Sequence, residues 1–388
     1  MGDQAAAVSS SDRPPWVDTF MIQLFALFGA LLFAATVGSV IIASFGENPI
    51  NVYRVLWVFS TSRLSDFGKV LENATPLIYS ALAVAVAFKA GMFNIGVEGQ
   101  YFVAMATAAA AALAFDVPAL IHIPLVVLAA VLGAVVWAAI PAVLKVKTGA
   151  HEVVTTIMMN GIAVSLVAWS LLHPLRTSRG GIVDLRSDQF PDSALIPNLG
   201  STLGLEESLP RSVHLTWLFP FALLVAFLVW FLLYRTRLGF ETRAVGSSPG
   251  AAEAGGVSIG ATQIKVFLIS GALAGFVGLN HLLGDAGFLG ANYETQLGFT
   301  GIAVAFLGRN HPFGIVVAAV ALGLLNRGED GLALVTDLPR EIVIILEGLL
   351  ILSVVIAYEI TRRIILRRRQ REVRSEEGAV EEASGAPA

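Results

Sequence analysis

Asn94, Glu98 and Gln100 stand close together in the stretch FKAGMFNIGVEGQ (88–100), which also carries Gly91, Gly96 and Gly99. A carboxylate and two amides accept and donate hydrogen bonds together, the chemistry needed to hold or pass a small polar solute. Asn160, inside an apolar run further on, adds another amide. These residues do not compose a reaction centre. The chain has no cysteine, which excludes thiolate nucleophiles, disulfides and thiolate metal sites. It has no H-E-x-x-H, no G-x-S-x-G, no Asp/His cluster at ligand spacing and no G-x-x-x-x-G-K-[ST] phosphate loop. No catalytic residue, cofactor or metal site is therefore expected. The six histidines, at 122, 151, 173, 214, 281 and 311, mostly close hydrophobic segments, where an interfacial position is the default.

What must position these polar side chains is the apolar sequence on either side, Leu77–Phe88 and Tyr101–Phe115. Of 388 residues, 56% are hydrophobic and 14% charged, against about 25% charged in soluble domains. The chain therefore reads as an all-α, polytopic membrane protein. Each glycine weakens a helix by roughly 1 kcal/mol against alanine, so the three at 91–99 predict a break or a tight bend. Irregular backbone and a carboxylate at membrane depth are tolerated only against protein or a wet cavity. An ordinary loop with a solvated Glu98 fits the same residues.

Residues 1–18 read as a cytoplasmic tail without a cleavable secretory signal, and 19–361 as the membrane domain. Full spans are expected near Phe20–Phe45, Asn73–Lys89, Gln100–Phe115, Ile123–Leu144, Val153–Leu172, Leu215–Tyr234, Thr262–Leu283 and Glu341–Tyr358. Residues 46–72, with Pro49, Trp57 and Arg63, suggest an interfacial helix. Two shorter runs, Leu297–Leu307 and Phe313–Leu325, are either short, tightly packed spans or a re-entrant hairpin, which makes about ten hydrophobic segments. Gly271, Gly275 and Gly278 are spaced to let helices approach closely. Residues 174–213 form the one sizeable outer loop, 235–261 a polar inner connection, and 362–388 a basic then acidic disordered tail.

Lys89, Lys145, Lys147, Arg235, Arg237 and the arginines of 362–374 share one side if both termini are cytoplasmic, as the positive-inside rule requires. Arg176, Arg179, Arg186 and Arg211 fall in the long outer loop, which the rule binds less. The terminal arginines read as a topology signal rather than a nucleic-acid site.

A transporter or channel is the class that remains. Two glycine-interrupted segments, 88–100 and 290–314, lie in different halves of the chain, and paired broken segments point to a central solute route. In the inner connection, Pro249 suits a first helical turn and Gly255-Gly256 a stop. A short helix there is what a membrane subunit needs to dock on a separate motor, although a plain solvated linker fits as well.

Four pieces carry a family likeness: ENATPLIYSALAVAVAFKAGMFNIGVEGQ (72–100), HEVVTTIMMNGIA (151–163), ETRAVGSSPGAAEAGGVSI (241–259) and GFTGIAVAFLGRNHPFG (298–314). In these the chain resembles permease subunits of prokaryotic ABC importers in the branched-chain amino acid and simple-sugar permease superfamily. Within that superfamily it resembles the nucleoside and simple-sugar permeases that work with a basic-membrane-protein-type lipoprotein. The resemblance implies a cell-membrane transport subunit that is not an enzyme. It also implies two cytoplasmic ABC ATPases, a second permease (identical or not) and an extracytoplasmic solute-binding lipoprotein, with no nucleic acid. The solute would be a nucleoside or simple sugar, moved by alternating access.

In that family the segment matching 241–259 meets the ATPase. Glu241, Arg243, Gly246, Pro249, Ala252, Glu253 and Gly255 are accordingly the expected coupling surface. Ser248 stands where the family has asparagine, and serine also caps helices. Asn94, Glu98, Gln100 and Asn160 are expected to line or support the route, with hydrogen bonding between helices as the plainer alternative. An ion-coupled secondary transporter is the other reading, disfavoured because intramembrane carboxylates are few.

Overall fold

A computed structural model describes residues 15–177, 185–210, 212–336, 339, 341–357, 360–361 and 363, with the backbone alone for 15–27. Arg179, Arg211 and the expected tails at 1–14 and 364–388 lie outside the described residues. The helices in chain order are α1 (Pro15–Ser44), α2 (Pro49–Thr61), α3 (Leu64–Lys89), α4 (Val97–Ala114), α5 (Ala119–Thr148) and α6 (Glu152–Leu172). They continue with α7 (Leu199–Thr202), α8 (Leu218–Arg235), α9 (Arg237–Ser247), α10 (Pro249–Ala254), α11 (Ile259–Ala274), α12 (Leu297–Leu307) and α13 (Pro312–Val335). A last helix, α14, covers residues 341–357. Among the described residues the only β structure is two isolated bridges, Arg186–Gly290 and Asn198–Thr216.

By internal contacts the chain divides into Ile50–Val343 and a smaller unit, Met1–Pro49 with Ile344–Ala388. In the larger unit α3 is the hub, packed by α8, α11, α12 and α13, while α4 lies against α5 and α6. The composition of α3 explains its place. Its SALAVAVA run offers small side chains on every face, all buried, so neighbours can approach from all sides. The bulkier α5, α6 and α8 leave large apolar side chains such as Leu128, Met158 and Phe227 exposed, as lipid-facing helices do. Close packing at the expected glycines is present. A β-carbon on Gly271 would stand 2.5 Å from Ala138 Cβ, and one on Gly275 2.8 Å from Val131 Cα. Among the described residues six helices are long and apolar enough to cross a membrane, namely α3, α4, α5, α6, α8 and α13, or seven if the bent pair of Phe28–Ser44 with α2 is one span, while α11 and α12 are apolar but shorter.

Three expected boundaries move. The span expected from Asn73 begins at Leu64, and the short run expected to end near Leu325 continues as α13 to Val335. One cause serves both: Arg327 donates to Asp66 at 2.7 Å and to Asp330 at 2.9 Å. Charges that look like segment ends are thus paired between two helices. The run Thr262–Leu283 is not one helix, since α11 stops at Ala274 and the chain turns into a π-helical segment, Asn280–Ala286.

Candidate functional site

The helical ladder breaks at residues 90–96, between α3 and α4, and again at 287–296, before α12. At the first break Gly91 takes φ +72, a left-handed conformation that costs glycine nothing sterically. Asn94 then organises the turn. Its Oδ1 accepts from Gly96 N at 3.0 Å and from Gln100 Nε2 at 3.1 Å. Its Nδ2 donates to Gln100 Oε1 at 3.0 Å and to Ser270 Oγ on α11 at 2.8 Å. Asn160, on α6, accepts from Gly99 N at 2.9 Å and donates to Ile95 O at 3.0 Å. Backbone groups left unpaired by the break are therefore satisfied by side chains.

Glu98 joins the two breaks. Its Oε1 accepts from Gln296 N at 2.6 Å and its Oε2 from Gly298 N at 2.7 Å. A carboxylate on those amides caps the start of α12, where free N–H groups and the helix dipole favour negative charge. The Tyr101 hydroxyl lies 3.1 Å from Glu98 Oε1 and 3.0 Å from the Glu294 carbonyl, so it pins the second break from behind. Ser80 Oγ donates to Leu297 O at 2.8 Å. The second break is also strapped from the loop side: Ser187 N and Phe190 N donate to Leu289 O and Gly287 O, both at 2.8 Å.

All four residues expected along the route are buried: Asn94 at 0%, Gln100 at 1%, Glu98 at 5% and Asn160 at 8% exposure. In this conformation their polar atoms engage protein: Glu98 ties the two breaks together, Asn94 and Gln100 tie the first break to itself and to α11, and Asn160 ties it to α6. Their partners Ser270, Tyr101, Gln296 and Gly298 escape sequence reading. No local signal marks a residue that matters because of a group on another helix.

At the same end as the loop, Asp285 bridges two histidines, with His214 Nδ1 and His281 Nδ1 each 3.2 Å from it. The hydrogen bond from His281 holds the Asp285 carboxyl below the ordinary carboxylate value.

At the opposite end, Thr236 Oγ1 caps α9 and Ser248 Oγ caps α10, accepting from Ala251 N at 3.4 Å. Pro249 sits in the first turn of α10, and Gly255 follows its last residue, the bounds that the residue types suggest. Gly246, Pro249, Glu253 and Gly255 are exposed, whereas Ala252 is buried against the fold. Glu241 pairs with Arg237 at 2.9 Å. The Arg243 guanidinium lies over the Tyr234 ring, 5.2 Å from its centre. A β-carbon on Gly246 would collide with the Lys89 carbonyl, so α9 rests directly on the end of α3.

The family described as the branched-chain amino acid transport system permease component matches residues 67–355. The guanosine ABC transporter permease protein NupP of Bacillus subtilis (strain 168) is 35% identical, over 85% of this chain and 92% of its own. The glucose ABC transporter permease protein TsgB13 of Haloferax volcanii is 33% identical, over 84% and 85%. The nucleoside ABC transporter permease protein NupB of Lactococcus lactis subsp. cremoris (strain MG1363) is 32% identical, over 85% and 90%. Permease components of this kind are membrane transport subunits, not enzymes, and work with ATPase subunits and a solute-binding protein. With the family matched over most of its length and relatives this alike, the chain belongs to the branched-chain amino acid transport permease family of ABC transporters.

Proposed function

We propose that this chain is the gate of an importer for a nucleoside or simple sugar, worked by alternating access. Two cytoplasmic ATPases drive it, a second permease completes the pore and an extracytoplasmic lipoprotein delivers the solute. About ten hydrophobic segments with both termini cytoplasmic suit the charge pattern, and place α9 and α10 on the inner face. Glu241, Arg243, Gly246, Pro249, Ala252, Glu253 and Gly255 then form the motor contact. Asn94, Glu98, Gln100 and Asn160 support the route, Glu98 by joining its two broken segments and the three amides by holding the first.

One observation carries this reading: α9, which packs against exposed α10, rests through Gly246 on the last residue of α3, where the first break begins. Force applied to α10 has a direct path to the segment tied to α12 by Glu98. The solute class is supported by the guanosine, nucleoside and glucose permeases that the chain is similar to. The same relatives leave the ion-coupled secondary transporter without support. The test is reconstitution with the ATPases and second permease, measuring ATP-dependent uptake of guanosine with glucose as the comparison solute. Concentrative uptake by the chain alone, in vesicles without ATPase, would overturn the reading, as would ATP-independent uptake by the full assembly.

A further inference from the structure

Four elements converge beside the first break, at the end that carries α9 and α10. Lys89 closes α3, Tyr234 lies in the last turn of α8, Arg243 is on α9, and His311 precedes α13. The Arg243 guanidinium stacks over Tyr234, and the His311 ring lies 5.6 Å from the same ring. Gly246, one turn beyond Arg243 on α9, packs on the Lys89 carbonyl, so the two cations stand at one place, with His311 near enough to feel the Lys89 charge. Burial and that cation push the His311 imidazole below its ordinary value, so it serves as a neutral wall.

Among the described residues neither Lys89 nor Arg243 has an acidic partner. Arg243 Nη1 is buried without any hydrogen-bond acceptor. Both cationic residues keep a partly exposed side. Two neighbouring cations without an acid repel each other, and an anion placed between them relieves both while supplying the missing acceptor.

We propose that Lys89 and Arg243, walled by Tyr234 and His311, form a socket for a carboxylate side chain of the ATPase subunit, a motor contact separate from α10. The proposal rests on the importer reading above. A protein carboxylate is favoured over a lipid phosphate because the socket is continuous, through α9, with the exposed face of α10. Lys89, Tyr234 and His311 are its new members.

The assembled complex, purified with its ATPase subunits, provides the test. Replacing Lys89 with glutamine should weaken ATPase retention roughly tenfold, the loss of one charge-assisted contact. It should also flatten the fall in retention as salt is raised, and Lys89→Arg should restore both. ATPase retention equal to wild type in Lys89→Gln overturns the proposal. So does loss of a co-purifying anionic lipid, read by native mass spectrometry, with ATPase retention unchanged. Because the chain has no cysteine, Arg309→Cys carrying a photo-crosslinker gives an independent arm. An adduct on an Asp- or Glu-containing ATPase peptide is expected, and adducts confined to lipid or to the permease itself overturn it. A wild-type preparation that retains no ATPase overturns the importer reading, and the socket with it.

Discussion

A β-carbon added to Gly246 would collide with the Lys89 carbonyl oxygen and stand 3.0 Å from the Gly91 amide nitrogen. The backbone of α9 therefore rests on the end of α3 with no side chain between them. Replacing Gly246 with alanine must push the two backbones apart. Overpacking of this kind costs about 1–3 kcal/mol, which a lowered melting temperature in detergent would register. In the reconstituted complex, ATP hydrolysis should persist while solute uptake falls. Hydrolysis and uptake both at wild-type levels would show that this contact transmits nothing.

Glu98→Gln tests the tie between the two breaks. The amide keeps one acceptor oxygen but turns an NH2 group toward either Gln296 N or Gly298 N, which now lacks an acceptor. An unsatisfied buried donor costs about 1–3 kcal/mol, and Glu98→Ala, which abandons both amides, should cost more. Thermal unfolding orders the three proteins. Uptake at equal expression then separates positioning from solute contact: a stability loss with unchanged uptake removes Glu98 from the route.

Hydrogen bonds between membrane helices average about 0.6 kcal/mol, but Asn160 should exceed that average. Its two partners are backbone groups at the end of the first break, Ile95 C=O within it and Gly99 N–H in the first turn of α4, where helical partners are missing. Asn160→Leu should therefore cost about 1–2 kcal/mol. Asn160→Asp keeps the acceptor for Gly99 and should fall between wild type and leucine. Equal melting temperatures for leucine and wild type would remove the tie.

The break at 88–100 is legible in the sequence because its causes are local: Gly91, Gly96 and Gly99 weaken helix where they stand. The bounds of α10 are legible for the same reason, through Ser248, Pro249 and Gly255. Distance hides the rest. The partners of Glu98 lie 198 and 200 residues away, and Ser270 lies 176 residues from Asn94. Polar residues of the first break could be marked as special, but whether they face solute or a second broken segment depends on packing that no local pattern records. Tyr234 and His311 look like ordinary interfacial aromatics until Lys89 and Arg243 are brought beside them.

The helix extensions at Leu64 and Val335 rest on such a distant pair. Asp66 and Arg327, 261 residues apart, meet at 2.7 Å, and both side chains are mostly buried, with 17% and 21% exposure. Arg327→Met strands Asp66 and should destabilise by about 1–3 kcal/mol, whereas Asp66→Asn leaves Arg327 its second partner, Asp330, and should cost less. The double variant should recover part of that loss, because neither charge is then left alone. A double-mutant cycle on melting temperature reads the coupling, and a value under about 0.5 kcal/mol would mean the two sites act independently. In that case the apolar contacts of α13 with α3, not the ion pair, would be what carries both helices past their apolar runs.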